Sequence, residues 1–479
     1  MKRSLLLILV FFTAVSLFAA TINATSSASQ NAGTTRAVQE PVISVLSVNG
    51  VTHGVVAYMN FHDQLNAPLD GQIQFSHTTD FLNWSAPQNL PLTANGTTYE
   101  HSADPVFLEY GNTFPYPGRL YCIGTLYSGK PQYSFVSTIG AWHSDDGGAT
   151  WSAPEILDNP PQPANCECPV GNPNCADRTC IFDDKPAAAV SLANGVIYVP
   201  FTRTTRAYTD ALGNHPATTT VFMEEMLASR GWIAIGQIGE SPTTDLAGPT
   251  PVIDPTTNIC HLFMRGFDQG QPVIRTFTSG DGWIWTENTN SYDHTPDRTP
   301  APGFFAHNVD VAGAQVLAVP FLTAKFDNAF HHIVVVYHRL DTSTGLTQVV
   351  YRRYSPFSHA WTQPGLIAAN GHMQWHPTLV QLSNYNFVIS YYDYTPGDPG
   401  YTVYAARQDI YSIVVENSRI FNSFFSNPAG YNLQASFNPP SARIGEYQGL
   451  TVFNDTLYAS SIQIQNGVGN AWVVKFTSP

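Results

Sequence analysis

The sequence predicts an all-β fold assembled from a repeated small sheet, and three observations carry that reading. Charged residues make up only 12% of the 479 positions and aromatics 13%, with 35 glycines and 35 prolines. That is the profile of many short strands joined by tight turns. A unit also recurs: a polar residue or two, often a proline, an apolar run, a Gly- or Asn-containing turn, and a second apolar run. Helical periodicity is nearly absent. Phe222 to Leu227 is the best helical candidate, and it reads equally as an outer strand.

The units run from Pro41 to Phe61, Asp104 to Thr125, Asp184 to Thr202, Asp245 to Phe267, His307 to Thr323, His376 to Tyr392, and Glu446 to Ile462. Their spacing is roughly 60 to 80 residues. Two end almost alike, Val196-Ile197-Tyr198-Val199-Pro200-Phe201-Thr202 and Val316-Leu317-Ala318-Val319-Pro320-Phe321-Leu322. Outer hairpins fill the gaps, so each unit is a four-stranded sheet with one face to bury. Stacking such sheets around an axis buries those faces and leaves few open edges. The chain therefore reads as a β-propeller of six or seven four-stranded blades. The last unit ends abruptly at Trp472-Val473-Val474-Lys475-Phe476, and the segment before Ile43 is the candidate for its missing strand.

The sharpest stretch is Ser144-Asp145-Asp146-Gly147-Gly148-Ala149-Thr150-Trp151, followed by Ser152-Ala153-Pro154. It predicts a hairpin corner. Asp146 accepts from the turn's own N–H groups, Gly147 and Gly148 supply φ > 0, and Trp151 packs under the turn. Worn copies are Ser76 to Trp84, followed by Ser85-Ala86-Pro87, and Ser279 to Trp285; Trp361 ends a further one. With Ser144, Asp146, Gly148, Thr150 and Trp151 in place, the pattern S-x-D-x-G-x-T-W resembles the Asp-box of sialidase-like β-propellers. The resemblance implies a propeller over positions 40–479 and an activity on glycans, most like a glycoside hydrolase of sialidase type.

The start reads as a secretory signal over 1–24: Lys2 and Arg3, an apolar run from Ser4 to Ala20, and small residues from Ala19 to Ala24. An uncleaved anchor is the alternative. Residues 25–39 read as a flexible Ser/Thr/Ala-rich leader. The mature protein is then expected to be exported, off the membrane and monomeric. Four of six cysteines, Cys166, Cys168, Cys175 and Cys180, crowd one loop. In an exported chain they predict a disulfide-stapled loop; a zinc site is the alternative, with poor spacing and no nearby histidine. Cys122 and Cys260 read as buried thiols or a long-range bridge. The net charge of −14 and the absence of a basic patch argue against nucleic acid. No metal or cofactor is indicated; acidic loops could hold structural calcium, but no D-x-D-x-D-G run is present.

In a propeller, loops leading into the innermost strands converge at one end of the axis, so polar residues there form the default ligand set. They are Asp104, Asp183, Asp184, Asp245, Asn308, Asp310, His376, Arg443, Glu446 and Tyr447. The sialidase resemblance implies an Arg-Ile-Pro motif opening the first blade, where this chain has Glu40-Pro41-Val42-Ile43 and no arginine. It also implies an acid/base aspartate before the first corner, where Asp63 and Asp70 lie. It implies further a late tyrosine nucleophile, matched in position by Tyr447 beside Glu446. Adjacent residues on a strand face opposite ways, so that pair is not expected to act together. Arg203, Arg265 and Arg443 are the candidate carboxylate clamps, with Arg206 and Arg352 behind them. Asp70, Asp104, Asp184, Glu446 and Tyr447 are the candidate catalytic set, and Arg203, Arg265, Arg443, His376, Asp245 and Asp310 the candidate substrate set. Two carboxylates across a sugar suffice for hydrolysis. The alternative is a non-catalytic propeller binding glycan or protein partners through aromatics such as Trp375 and Tyr391-Tyr392-Asp393-Tyr394.

Overall fold

Strand alternation and turn chemistry together generate sheets that follow one another around an axis. The computed structural model describes residues 20–24 and 37–477, apart from 64–66, 111–115, 131–133, 159–180, 206–207, 211–212, 216–217, 228–229, 242–246, 290–296, 368–370, 409–418, 423–432, 435–440, 443 and 466–467. Six blades are each one continuous stretch of chain. Their innermost strands are Ala37–Val48, His101–Glu109, Ile181–Asp184 with Ala189–Val190, Ala247–Ile253, Thr323–Asp327 and Met373–Gln381. Each is followed outward by antiparallel neighbours, as in Val51–Asp63, Ala67–Thr78 and Gln88–Asn89 of the first blade. A seventh sheet closes the ring from both ends of the chain. Gly449–Phe453, Thr456–Gln465 and Val468–Thr477 supply three strands, and Ala20–Ala24 pairs outside them, Ala20 opposite Lys475.

The architecture is the all-β propeller that the repeat predicts, and the missing last strand does come from before Ile43. The closing strand uses the small-residue stretch read as a cleavage region, and the first blade begins at Ala37, inside the expected leader. One unit is displaced. His307–Val311 and Ala314–Ala318 form no blade; they make an inserted sheet with Leu433–Gln434 and Ser441–Ala442. The true fifth blade starts at Thr323. The likeness of Val316 to Leu322 to the Val196 to Thr202 stretch misleads, because Ile197–Thr205 is a second strand while Val316 sits in the insert. Phe222 to Leu227 is strand, within Thr218–Leu227.

The Ser144 to Trp151 corner has the predicted chemistry. Ser144 Oγ donates to Asp146 Oδ1 (2.8 Å) and accepts from Gly148 N–H (2.8 Å), while Asp146 takes Thr150 N–H (2.9 Å) and Thr150 Oγ1 (2.6 Å). Gly147 and Gly148 have φ of 72° and 85°. A Cβ on Gly148 would overlap Val55, and one on Gly147 the His53 ring, both in the neighbouring blade. The worn copies repeat the wiring: Asp80 Oδ1 accepts from Leu82 and Asn83 N–H, and Asp281 Oδ1 from Trp283 and Ile284 N–H. The residue after three of the four corner tryptophans also acts alike. The hydroxyls of Ser85, Ser152 and Thr362 accept from the N–H of His77, His143 and Arg353.

Because strands alternate in direction, these corners lie at the end of the axis opposite the starts of the innermost strands. The interblade core buries Trp142 and Trp375 completely. Cys122 and Cys260 are buried free thiols. The four loop cysteines lie outside the described residues. Among the described residues, no helix is long and apolar enough to cross a membrane.

Candidate functional site

The starts of the innermost strands share a backbone device. Glu40-Pro41, Asp104-Pro105, Lys185-Pro186, Gly248-Pro249 and His376-Pro377 each place a residue with φ of 47–63° directly before a proline. In four of them the ladder slips at that point, between Gln39 and Val42, Ala103 and Val106, Ala247 and Thr250, and Trp375 and Thr378. Proline has no N–H to offer the ladder, so a bulge is where a strand tolerates it. A non-glycine residue at positive φ costs about 1–3 kcal/mol, and such strain gathers where a side chain must be aimed. Here the bulges re-aim the side chains of Glu40, Asp104 and His376, and the positive φ of Lys185 re-aims a fourth. Gly445 (φ 94°) does the same for the closing sheet by setting Glu446 beside Glu40.

Lys185 is the centre of the result. Its Nζ lies 3.0 Å from Glu40 Oε1, 2.9 Å from Glu446 Oε2, and in direct ion-pair contact with Asp104 Oδ1. The lysine side chain is 12% exposed and the three carboxylates 7% or less. Asp184, next in the chain, adds a fourth carboxyl group and is the most open of them. The acids outnumber the cation, and their proton affinities separate accordingly. Burial pushes Glu40 well above the usual carboxylate range, Lys185 opposing and Asp104 and Glu446 adding to the rise. Burial, then the Asp104 charge, likewise pushes Asp184 well up. Asp104 is buried too, yet the Lys185 ammonium and hydrogen bonds from Glu40, Asp184 and Lys185 hold it below its usual value. For Lys185 itself, burial is outweighed by the surrounding acids, and its ammonium is held firmly.

The structure therefore brings together Asp104, Asp184 and Glu446 from the sequence-predicted set. It adds Glu40 and Lys185, which sequence reasoning passed over. The signal was present: a residue-proline pair opening five innermost strands. Tyr447 also reaches the cluster, its ring 5.8 Å from Lys185 Nζ. The expectation that Glu446 and Tyr447 face apart fails because both precede Gly449, where the strand begins. Tyr447 donates its hydroxyl to Pro105 O (3.0 Å), and burial followed by the Glu40 and Asp104 charges raises it well above the usual phenol range. It holds its proton and is a poor nucleophile as placed.

The other expectations divide. His376 is buried at the edge of the ring; its N–H donates to His338 Nδ1 (3.2 Å), and its ring packs 5.4 Å from that of His338, which in turn meets His307 at 5.9 Å. Arg203 is no clamp: Asp183 binds it at 2.7 and 2.8 Å and Asp158 closes on the same guanidinium. Burial lifts Asp183 to about 6 against the pull of Arg203. Arg352 donates to the carbonyls of Thr362 and Pro300, tying outer strands together. Arg265 pairs across from Ala247 and lies near enough to His338 to help depress its pKa, after burial, His376 and His307. Asp310 is in the inserted sheet, exposed, and caps its hairpin by accepting from Gly313 N–H and Gln315 Nε2. Asp70 is within the strand Ala67–Thr78 and not in a turn; its side chain lies outside the described residues, as do Asp245, Arg206 and Arg443. Trp375, Tyr391, Tyr392 and Tyr394 are core, at 6% exposure or less, and offer no sugar platform. Among the described residues, no group of three His, Cys, Asp or Glu side chains is arranged to hold a metal ion.

No protein-family model and no curated protein matches the chain. Solved structures do. A Hadza microbial sialidase is 14% identical, with a TM-score of 0.44, covering 74% of this chain and 63% of its own. A protein of unknown function from Dyadobacter fermentans is 11% identical, with a TM-score of 0.46, covering 93% and 98%. The Trypanosoma rangeli sialidase, in complex with the inhibitor DANA, is 10% identical, with a TM-score of 0.46, covering 95% and 59%. The chain thus spans less than two thirds of the length of either sialidase.

Proposed function

We propose that this chain is an exported glycoside hydrolase that acts on a neutral sugar with the carboxylate ring at the starts of its innermost strands. The observation that supports this is the separation of proton affinities within one ring. Carboxyl groups pushed apart in this way divide into proton donor and ionised partner. Asp184, proton-holding and the most open, is the general acid. Asp104, kept ionised by Lys185, is the base or nucleophile, with Glu446 beside it. Oxocarbenium-like charge developing on a sugar ring would be stabilised by the surplus of acids. An anionic sialoside fits poorly, because the ring is acidic and Arg203 is already bound by two carboxylates.

The test is hydrolysis of chromogenic glycosides, neutral and sialylated, by wild type, Asp104→Asn and Asp184→Asn. Turnover of a neutral glycoside lost in both variants is the expected result. Turnover of a sialoside, or variants as active as wild type, overturns it. A second reading has its own observation: Lys185, in contact with three carboxyl groups, fills the ring as a structural hub would. On that reading the propeller binds partners and turns over nothing, and the corner resembling an Asp-box is scaffold in either case.

A further inference from the structure

At the end of the axis opposite the carboxylate ring, the innermost strands enclose a cavity of about 800 Å³. That is within the usual range for a small-molecule site. Its walls mix apolar and polar surface, and most of its polar groups are already engaged. Gln381 donates to Asp327 Oδ1 (3.0 Å) and accepts from Asn328 Nδ2 (3.1 Å). Asn258 accepts from Ser191 Oγ (3.2 Å). Glu109, on the second blade, takes Ser44 Oγ at 2.7 Å.

Lys325 differs. It projects from the middle of the fifth blade's innermost strand, flanked by Ala324 and Phe326, which turn into the core. Its side chain is exposed to the water space of the cavity. No hydrogen bond or ion pair reaches its Nζ from any described residue. Glu109 stands across the axis, near enough for the two charges to influence each other but too far for an ion pair. Burial lowers the lysine's pKa, with Glu109 opposing, and raises that of Glu109. Each charged group would therefore gain from a partner that neither supplies to the other.

We infer that this axial cavity is a second binding site, for a small hydroxylated carboxylate whose anionic group pairs with Lys325 and whose hydroxyl donates to Glu109. The ion pair would be a charge-assisted hydrogen bond, stronger than one between neutral groups. Tyr385, half exposed, lines the same cavity, whose volume accommodates a sugar-sized molecule.

Calorimetric titration of the full chain with glucuronate and with glucose, at fixed ionic strength, tests the inference. Glucuronate should bind once per chain and glucose at least tenfold more weakly. Lys325→Met should weaken glucuronate at least tenfold, and Lys325→Arg should keep most of the affinity. Asp104→Asn, at the other end of the axis, should leave binding intact, which separates this site from the carboxylate ring. Thermal melting of each variant confirms that it is folded. No glucuronate binding, equal affinity for glucose, or unchanged binding by Lys325→Met would each overturn the inference.

Discussion

The two ends of the axis each hold one lysine, and they solve opposite problems. Lys185 sits among more acids than it can neutralise, contacts three of them and is nearly sealed. Lys325 sits in an open cavity with one acid across the axis and no contact to it. The difference follows from where each stands on its strand. Lys185 is at positive φ before a proline, in the break between two short strands, and that break turns the side chain into the crowded mouth of the ring. Lys325 is in regular strand, where alternation faces it to the cavity. An irregular, positive-φ strand start gathers chemistry from several blades at one point, whereas a regular strand leaves its side chain to the cavity.

That contrast can be broken most sharply at Lys185. Lys185→Met leaves Asp104 and Glu446 buried without their cation, and it should cost about 3–5 kcal/mol in urea unfolding. A loss below about 1 kcal/mol would mean that the ring is not held by its ion pairs. Next, Gly148→Ala forces a Cβ into Val55 at φ 85°, and should cost about 1–3 kcal/mol by the same measurement. This tests whether the corners, and not only the ring, lock neighbouring blades. The third experiment concerns pH. Glu40 binds its proton more tightly folded than unfolded, so the stability it contributes is present below the ordinary carboxylate pKa and fades as pH rises toward its folded value. Glu40→Gln removes that dependence. Its melting temperature relative to wild type should therefore climb from about pH 4 upward; a flat difference would contradict the proton-holding assignment. Lys325→Met, which breaks no contact, should change stability by less than about 0.5 kcal/mol.

The propeller was legible because its signals are local and repeated. Corner chemistry lies within eight residues, from Ser144 to Trp151, and Ser85, Ser152 and Thr362 carry the same bond in three blades. Asp104, Asp184 and Glu446 were legible as polar strand starts. Glu40 was read only as a missing arginine, and Lys185 was overlooked, because positive φ before proline is a backbone state that composition does not announce. The His307 unit was misplaced because its pattern of apolar residues suits an inserted hairpin as well as a blade. Arg203 could not be discounted from sequence, since Asp158 and Asp183 come from different blades. Trp375 and the Tyr391 to Tyr394 run are aromatic in any reading; only packing decides that they face the core.

The most direct measurement of the central claim is the pH dependence of hydrolysis of a neutral chromogenic glycoside by wild type and Asp184→Asn. The account predicts turnover that persists above the ordinary carboxylate range, because Asp184 keeps its proton there, and a loss of that activity in Asp184→Asn. Equal activity of the two proteins at every pH, or no turnover of any neutral glycoside by the wild type, would contradict it.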